Sequence, residues 1–120
     1  MTQRTVLIAE NEGIISLDIK NLLRNNDYHA VIARSAQDLM DKYNEEKPDL
    51  VVADLFLNKE SIEKVLRHIR HQDNTPLILL SGASKNVLER LAQSLLPCAY
   101  LSKPFDKSEL LKTIENYVVR

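Results

Sequence analysis

Five apolar runs alternate along this chain with five stretches in which apolar residues return at helical spacing. The runs, at residues 6–9, 30–33, 50–53, 77–80 and 99–101, do not alternate apolar with polar, as expected of strands covered on both faces. Between them, Ile15, Ile19, Leu22 and Leu23 fall at i, i+4, i+7 and i+8, and Ala36, Leu39, Met40 and Tyr43 at i, i+3, i+4 and i+7. Ile62, Val65, Leu66 and Ile69 repeat the second spacing, as do Leu88, Leu91, Ala92 and Leu95, and Leu110, Ile114, Tyr117 and Val118 mark a last stripe. Each set lays one apolar stripe along one helix face. The pattern predicts a (βα)5 chain, and right-handed crossovers then require a three-layer α/β sandwich around a parallel five-stranded sheet.

The punctuation agrees with this alternation. Asp106 with Glu109 reads as a capping box opening the last helix, and Ser35 with Asp38 reads similarly for the second. Asn25, Asn26 and Asp27 can end the first helix, because Asn tolerates the left-handed conformation. Pro48, Pro76 and Pro104 stand at predicted element boundaries, where the missing amide costs least.

Polar residues cluster where the apolar runs stop. Glu10 and Asn11 follow the first run, Asp54 closes the third, Ser81 follows the fourth, and Lys103 comes just after the fifth. In a parallel sheet these positions meet at the carboxyl edge, where open α/β sheets bind ligands. Asp54 suits a nucleophile that forms an acyl phosphate, a metal ligand, or both; a side chain bonding local backbone donors is the plainer alternative. Glu10 and Asn11 can join Asp54 around Mg²⁺, which takes one or two carboxylates and keeps several waters. They can equally open the first helix, with Asn11 as its cap and Glu12 near its positive end. Pro104 biases Lys103 toward an extended backbone, from which the ammonium can reach Asp54. Ser81 precedes Gly82, a turn on which an anion can approach closely.

Composition narrows the function without naming it. A length of 120 residues suits one domain with its own core. A net charge of −1 advertises neither a nucleic-acid surface nor an anionic-membrane surface. No apolar run approaches a membrane span, and Met1-Thr2-Gln3-Arg4 is not a secretory signal, so a cytoplasmic location is expected. Cys98 has no cysteine partner and reads as a buried small hydrophobe beside a central strand. His29, His68 and His71 do not make a metal set, and Arg67, Arg70 and the histidines beside them read as a solvated helix face.

Taken together, the order and spacing of these residues resemble the receiver domain of two-component response regulators, of the chemotaxis-receiver kind, over residues 1–120. The resemblance implies a flavodoxin-like strand order 2-1-3-4-5 and assigns roles by position. Glu10 and Asn11 match the family's acidic Mg²⁺-binding pair, and Asp54 the phosphorylated aspartate. Ser81 and Lys103 match its conserved-role hydroxyl and lysine, Lys103-Pro104 its Lys-Pro pair, and Tyr100 the aromatic switch that acts with Ser81. The backbone carbonyl of Phe56 matches a further Mg²⁺ ligand. The implied activity is self-catalysed phosphoryl transfer from a sensor histidine kinase or phosphotransfer protein to Asp54, followed by autodephosphorylation, rather than turnover by a conventional enzyme. The implied output is a homodimer or effector contact through the fourth helix, fifth strand and fifth helix, with no direct contact to nucleic acid or membrane.

Departures from the pattern accompany the matches. The acidic pair is Glu10-Asn11 where Asp-Asp is usual, which removes one charge from the ion site and predicts weak Mg²⁺ binding. Asn58 stands where a proline is common, four residues after Asp54, and the Phe56 ring would crowd the route of an attacking water. A phosphorylation-independent interaction module is therefore the alternative reading. A flavin-binding protein of similar fold is disfavoured, because the acidic loop Glu10-Asn11-Glu12-Gly13 would repel a flavin phosphate.

Overall fold

The computed structural model describes residues 3–118. Five strands form a parallel sheet: β1 (Arg4–Ala9), β2 (Tyr28–Ala33), β3 (Leu50–Asp54), β6 (Leu77–Ser81) and β7 (Cys98–Ser102). Their spatial order is β2-β1-β3-β6-β7, the order 2-1-3-4-5 when only these five strands are counted. A two-stranded antiparallel hairpin, β4 (Phe56–Leu57) and β5 (Glu60–Ser61), stands apart from the main sheet. The helices are α1 (Gly13–Arg24), α2 (Ala36–Glu46), α3 (Glu63–Gln72), α4 (Lys85–Ser94) and α5 (Lys107–Tyr117).

Strand parity divides the core into two layers. Val6, Ile8, Leu50, Val52, Ile78 and Leu80 face Ile19 and Leu23 of α1 and Leu110 and Ile114 of α5. Leu7, Ala9, Val51, Ala53, Leu77 and Leu79 face Leu39 of α2, Leu66 and Ile69 of α3, and Leu88 and Ala92 of α4. Both faces of the central strands are therefore buried, which is why their sequences carry no polar alternation. At about 25 cal/mol per Å² of apolar surface, this two-sided burial is the main term favouring the fold.

Two helix boundaries differ from the pattern-based expectation. Ser35 caps α2 by accepting from the Asp38 amide at 3.0 Å, as expected. Asp106 stands at the start of α5, but its side chain accepts nothing from the helix amides, and the acidic charge in the first turn is Glu109. The left-handed step after α1 falls on Asp27 (φ 67°) rather than on an Asn, while Asn26 donates back to the Leu22 carbonyl at 2.8 Å.

Arg70 is the larger correction. Its guanidinium is folded under the sheet and donates to the carbonyls of Leu95, Asp73, Thr75 and Pro97 at 2.8–3.1 Å. It ties α3 to the entries of β6 and β7 instead of joining a solvated basic face; Arg67, His68 and His71 remain exposed. A planar fork with five donors can satisfy four carbonyls at once, more than the three donors of a lysine ammonium can reach. Cys98 is buried as expected, though on the edge strand β7, and burial pushes its thiol up to about 12 against the opposing charge of Arg70. The thiol is un-ionised at neutral pH and correspondingly unreactive.

The β4–β5 hairpin was not legible in the sequence. Leu57 and Ile62 are fully buried and pin it to the core, and the Ile62 amide bonds the Leu55 carbonyl at 3.0 Å. Its two-residue loop, Asn58-Lys59, has positive φ at both positions (51° and 65°), the requirement of a type I′ turn. Asn accepts that conformation readily, whereas Lys does so at a cost. Lys59→Gly is expected to stabilise the protein by about 0.5–1 kcal/mol, the strain relieved less the chain entropy that glycine adds. The check is a thermal melt, with a rise of about 3 °C expected; an unchanged or lowered Tm would mean that residue 59 is not held at positive φ.

Candidate functional site at the carboxyl edge of the sheet

The central strands β1 and β3 lie side by side, with Ala9 opposite Ala53, so the residues just beyond, Glu10 and Asp54, emerge together. β2 and β3 flank β1 on opposite sides, so the connections leaving β1 and β3 diverge and open a crevice there. Glu10 is 1% exposed. A buried carboxylate needs a partner, and it has two: Oε1 accepts from the Glu12 amide at 3.1 Å and Oε2 from Lys103 Nζ at 3.0 Å.

The same ammonium reaches Asp54. Lys103 Nζ lies 2.9 Å from Asp54 Oδ2, while the Phe56 amide donates to Asp54 Oδ1 at 3.3 Å. Lys103 follows β7, two strands from β3, and spans β6 with its long stem. Its backbone is fixed by its own amide, which donates to the Ser81 carbonyl at 2.8 Å. Burial pushes the ammonium toward a lower pKa, but the hydrogen bonds and charges of Asp54 and Glu10 outweigh that, and the group titrates above the ordinary lysine value. Two carboxylates against one ammonium leave the crevice with one net negative charge.

The other expected residues are placed around this trio in different ways. Ser81 ends β6 beside Leu80, whose register partner is Asp54, and its hydroxyl oxygen accepts from the Ala83 amide at 3.0 Å. Gly82 has no positive φ, and a Cβ there would meet nothing within 4 Å, so the step after the buried Ser81 does not require a glycine. Tyr100 sits half-buried on β7 opposite Leu79, packed against the layer that holds Leu88 and Ala92 of α4. Phe56 is 54% exposed.

Asn11 does not cap α1. Glu12 occupies that position, without a side-chain bond to the helix, and Asn11 Nδ2 instead donates to Asn58 Oδ1 at 3.1 Å. Asn58 Nδ2 in turn donates to the Arg34 carbonyl at 3.2 Å. This bridge from the hairpin to the ends of β1 and β2 had no sequence signal beyond the unusual residue types at 11 and 58.

The donor set fits a hard cation. No cluster of three or more His, Cys, Asp or Glu suited to a metal occurs among the described residues. An ion here would draw on the Glu10 and Asp54 carboxylates, a carboxamide oxygen from Asn11 and a backbone carbonyl, an all-oxygen set with few charges that matches Mg²⁺. Glu10 Oε2 and Asp54 Oδ2 are the oxygens that Lys103 holds, so an ion here would share these two carboxylates with the ammonium.

The family model described as the response regulator receiver domain matches residues 6–115, and the chain belongs to that family. It is thus a receiver domain of two-component signalling. It is 33% identical over 118 residues to the transcriptional regulatory protein PdtaR of Mycobacterium tuberculosis, a match covering 98% of this chain and 58% of that protein. The chain spans little more than half the length of such curated relatives. Chemotaxis protein CheY4 of Vibrio cholerae shares the fold with a TM-score of 0.87 at 18% identity, over 97% of this chain and 99% of that one. A CheY-like receiver domain protein of Methanospirillum hungatei does so with a TM-score of 0.89 at 20% identity, over 98% and 94%.

Lys103→Met removes the shared cation while keeping the stem, and leaves Glu10 buried opposite a second carboxylate. At neutral pH the metal-free variant is expected to lose about 2–3 kcal/mol, below the usual cost of orphaning a fully buried charge because Lys103 is partly exposed. The loss should shrink at pH 5, where a shared proton relieves the repulsion. The wild type behaves differently. Its lysine is raised, so the stability it contributes is fully present below the unfolded value, about 10.4, and is lost only as pH rises through the higher folded value. Urea unfolding of both forms at pH 5 and pH 7 tests this; a loss independent of pH would show that Lys103 acts through packing alone.

Proposed function

We propose that this domain is a phosphorylation-controlled signalling switch in which Asp54 accepts a phosphoryl group from a phosphohistidine of a sensor kinase or phosphotransfer protein. The observation that carries the reading is the Lys103 ammonium bridging Glu10 and Asp54 at 3.0 and 2.9 Å. An Asp54 carboxylate oxygen attacks phosphorus, the P–N bond breaks, and the donor imidazole keeps the electron pair. Lys103 moves from Asp54 Oδ2 to a phosphoryl oxygen, where its positive charge offsets the charge gathering on the transferring group. Glu10, Asp54, the Asn11 carboxamide oxygen and the Phe56 carbonyl would hold Mg²⁺, which would supply further neutralisation of the phosphoryl oxygens. Ile14 and Leu17 on the first turns of α1 are 76% and 55% exposed, an apolar surface beside the site that suits docking of a protein donor.

Incubation with acetyl phosphate and Mg²⁺, followed by intact mass measurement, should detect one base-labile phosphate, absent from Asp54→Ala. An adduct that survives in Asp54→Ala would move the acceptor elsewhere. A second reading, a receiver acting as a phosphorylation-independent interaction module, draws on the Glu10-Asn11 pair, which lacks one of the two charges usual at the ion site. It is the conclusion if neither small donors nor kinases modify Asp54.

The output runs, on this reading, through Ser81 and Tyr100 to the face formed by α4, β7 and α5, where a second copy or an effector would bind. A phosphoryl oxygen on Asp54 offers the Ser81 hydroxyl a charge-assisted acceptor. Movement of Ser81 toward it frees space beside β7, which the half-buried Tyr100 can enter, its polar tip tolerating either environment. The expected result is that the ring resonances of Tyr100 shift on adding beryllofluoride with Mg²⁺, and shift less in Ser81→Ala. A Tyr100 that keeps one environment while Asp54 is modified would place the output elsewhere.

A further inference from the structure

The hydrogen bonds around Asn58 allow only one orientation of two carboxamides. A backbone carbonyl can only accept, so the atom of Asn58 that meets the Arg34 carbonyl at 3.2 Å is the donor Nδ2. Oδ1 of Asn58 then faces Asn11 at 3.1 Å and can only accept, so Asn11 must present Nδ2 to it. The carbonyl oxygen of Asn11 is thereby turned away from Asn58. Asn11 follows directly on Glu10, whose carboxylate is already committed to the crevice.

We propose that Asn58 is a positioning residue for the ion site: it holds the Asn11 carboxamide so that oxygen, and not the amide nitrogen, is offered to Mg²⁺ beside Glu10 and Asp54. The proposal rests on the Mg²⁺ reading given above. A cation is repelled by an NH₂ group and bound by a carbonyl oxygen, and the two ends of a free Asn side chain exchange by a simple flip. An anchored partner removes that ambiguity. Asn58 is itself anchored, because its turn is pinned to the core through Leu57 and Ile62 and its side chain is tied to the Arg34 carbonyl.

Two departures from the family pattern thus become one feature. An aspartate at position 11 would set a carboxylate oxygen against Asn58 Oδ1, whose orientation the Arg34 carbonyl dictates. A proline at position 58, with φ fixed near −65°, could not adopt the observed 51°. Asn11 and Asn58 are a matched pair.

The test is a Mg²⁺ titration followed by NMR of the ¹⁵N-labelled protein for wild type, Asn58→Gly, Asn11→Ala and the double variant. Glycine keeps the left-handed turn while deleting the side chain. Asn58→Gly is expected to weaken Mg²⁺ binding about fivefold, less than the roughly ten- to hundredfold effect of outer-shell partners at metal sites, because this pair is exposed to water. In the Asn11→Ala background the same substitution should have no effect on affinity. In metal-free wild type the Asn11 side-chain amide protons should exchange more slowly than those of exposed Asn86. Equal affinity of wild type and Asn58→Gly, an equal loss in both backgrounds, or unprotected Asn11 protons would overturn the positioning role while leaving the ion site standing. A wild type that binds no Mg²⁺ would remove the ion site and the proposal together.

Discussion

A parallel sheet buried on both faces leaves its charged groups almost nowhere to go but its two edges, and this constraint organises the whole molecule. Along β1, β3 and β6 every core position is apolar, one parity packing on α1 and α5 and the other on α2, α3 and α4. Polar side chains placed within those runs would lose their hydration without partners, at a cost of several kcal/mol each. The carboxyl edge therefore collects Glu10, Asp54, Ser81 and Lys103, while the opposite edge is closed by the Arg70 fork on four carbonyls.

Concentrating charge at one edge creates an electrostatic problem that a single ammonium resolves. Glu10 is almost wholly withdrawn from water and would be intolerable beside Asp54 were both unpaired. Lys103 contacts each, and in doing so links the ends of β1, β3 and β7, elements far apart in sequence. The metal-free crevice is consequently self-neutralised to within one charge. On the proposed reading, an incoming cation or phosphoryl group would redistribute the bonds of Lys103, and the lysine would couple events at Asp54 to the end of β7, the strand that carries Tyr100.

The hairpin after β3 adds a second, neutral set of contacts at the crevice rim. Buried Leu57 and Ile62 hold it rigidly enough for Asn58 to reach across to both Asn11 and the Arg34 carbonyl. The rim of the crevice is thus built from carboxamides where a carboxylate and a proline would be usual for a receiver, and the two exceptions compensate each other geometrically.

How much of this was legible depended on whether a feature is local. The five strands, the five amphipathic stripes and the capping Ser35 follow from periodicity and short-range hydrogen bonding, which sequence order exposes directly. The gathering of Glu10, Asp54, Ser81 and Lys103 at one edge was legible too, because parallel crossovers return every strand in the same direction. The reach of Lys103 to Asp54 was readable from Lys103-Pro104, but its equal claim on Glu10 was not. That contact depends on which strands are neighbours and on how deeply Glu10 is buried. Arg70 expected on a solvated face, Asp106 expected as a side-chain cap and the choice between ion ligand and helix cap left open for Asn11 share one cause: each side chain has several partners within reach, and only the packed arrangement selects among them. By itself the sequence determined the fold class, the edge at which the polar side chains gather and the residue types present there. The tertiary structure alone decided which atoms meet, because hydrogen-bond partners up to 93 residues apart are set by strand adjacency and burial, not by spacing along the chain.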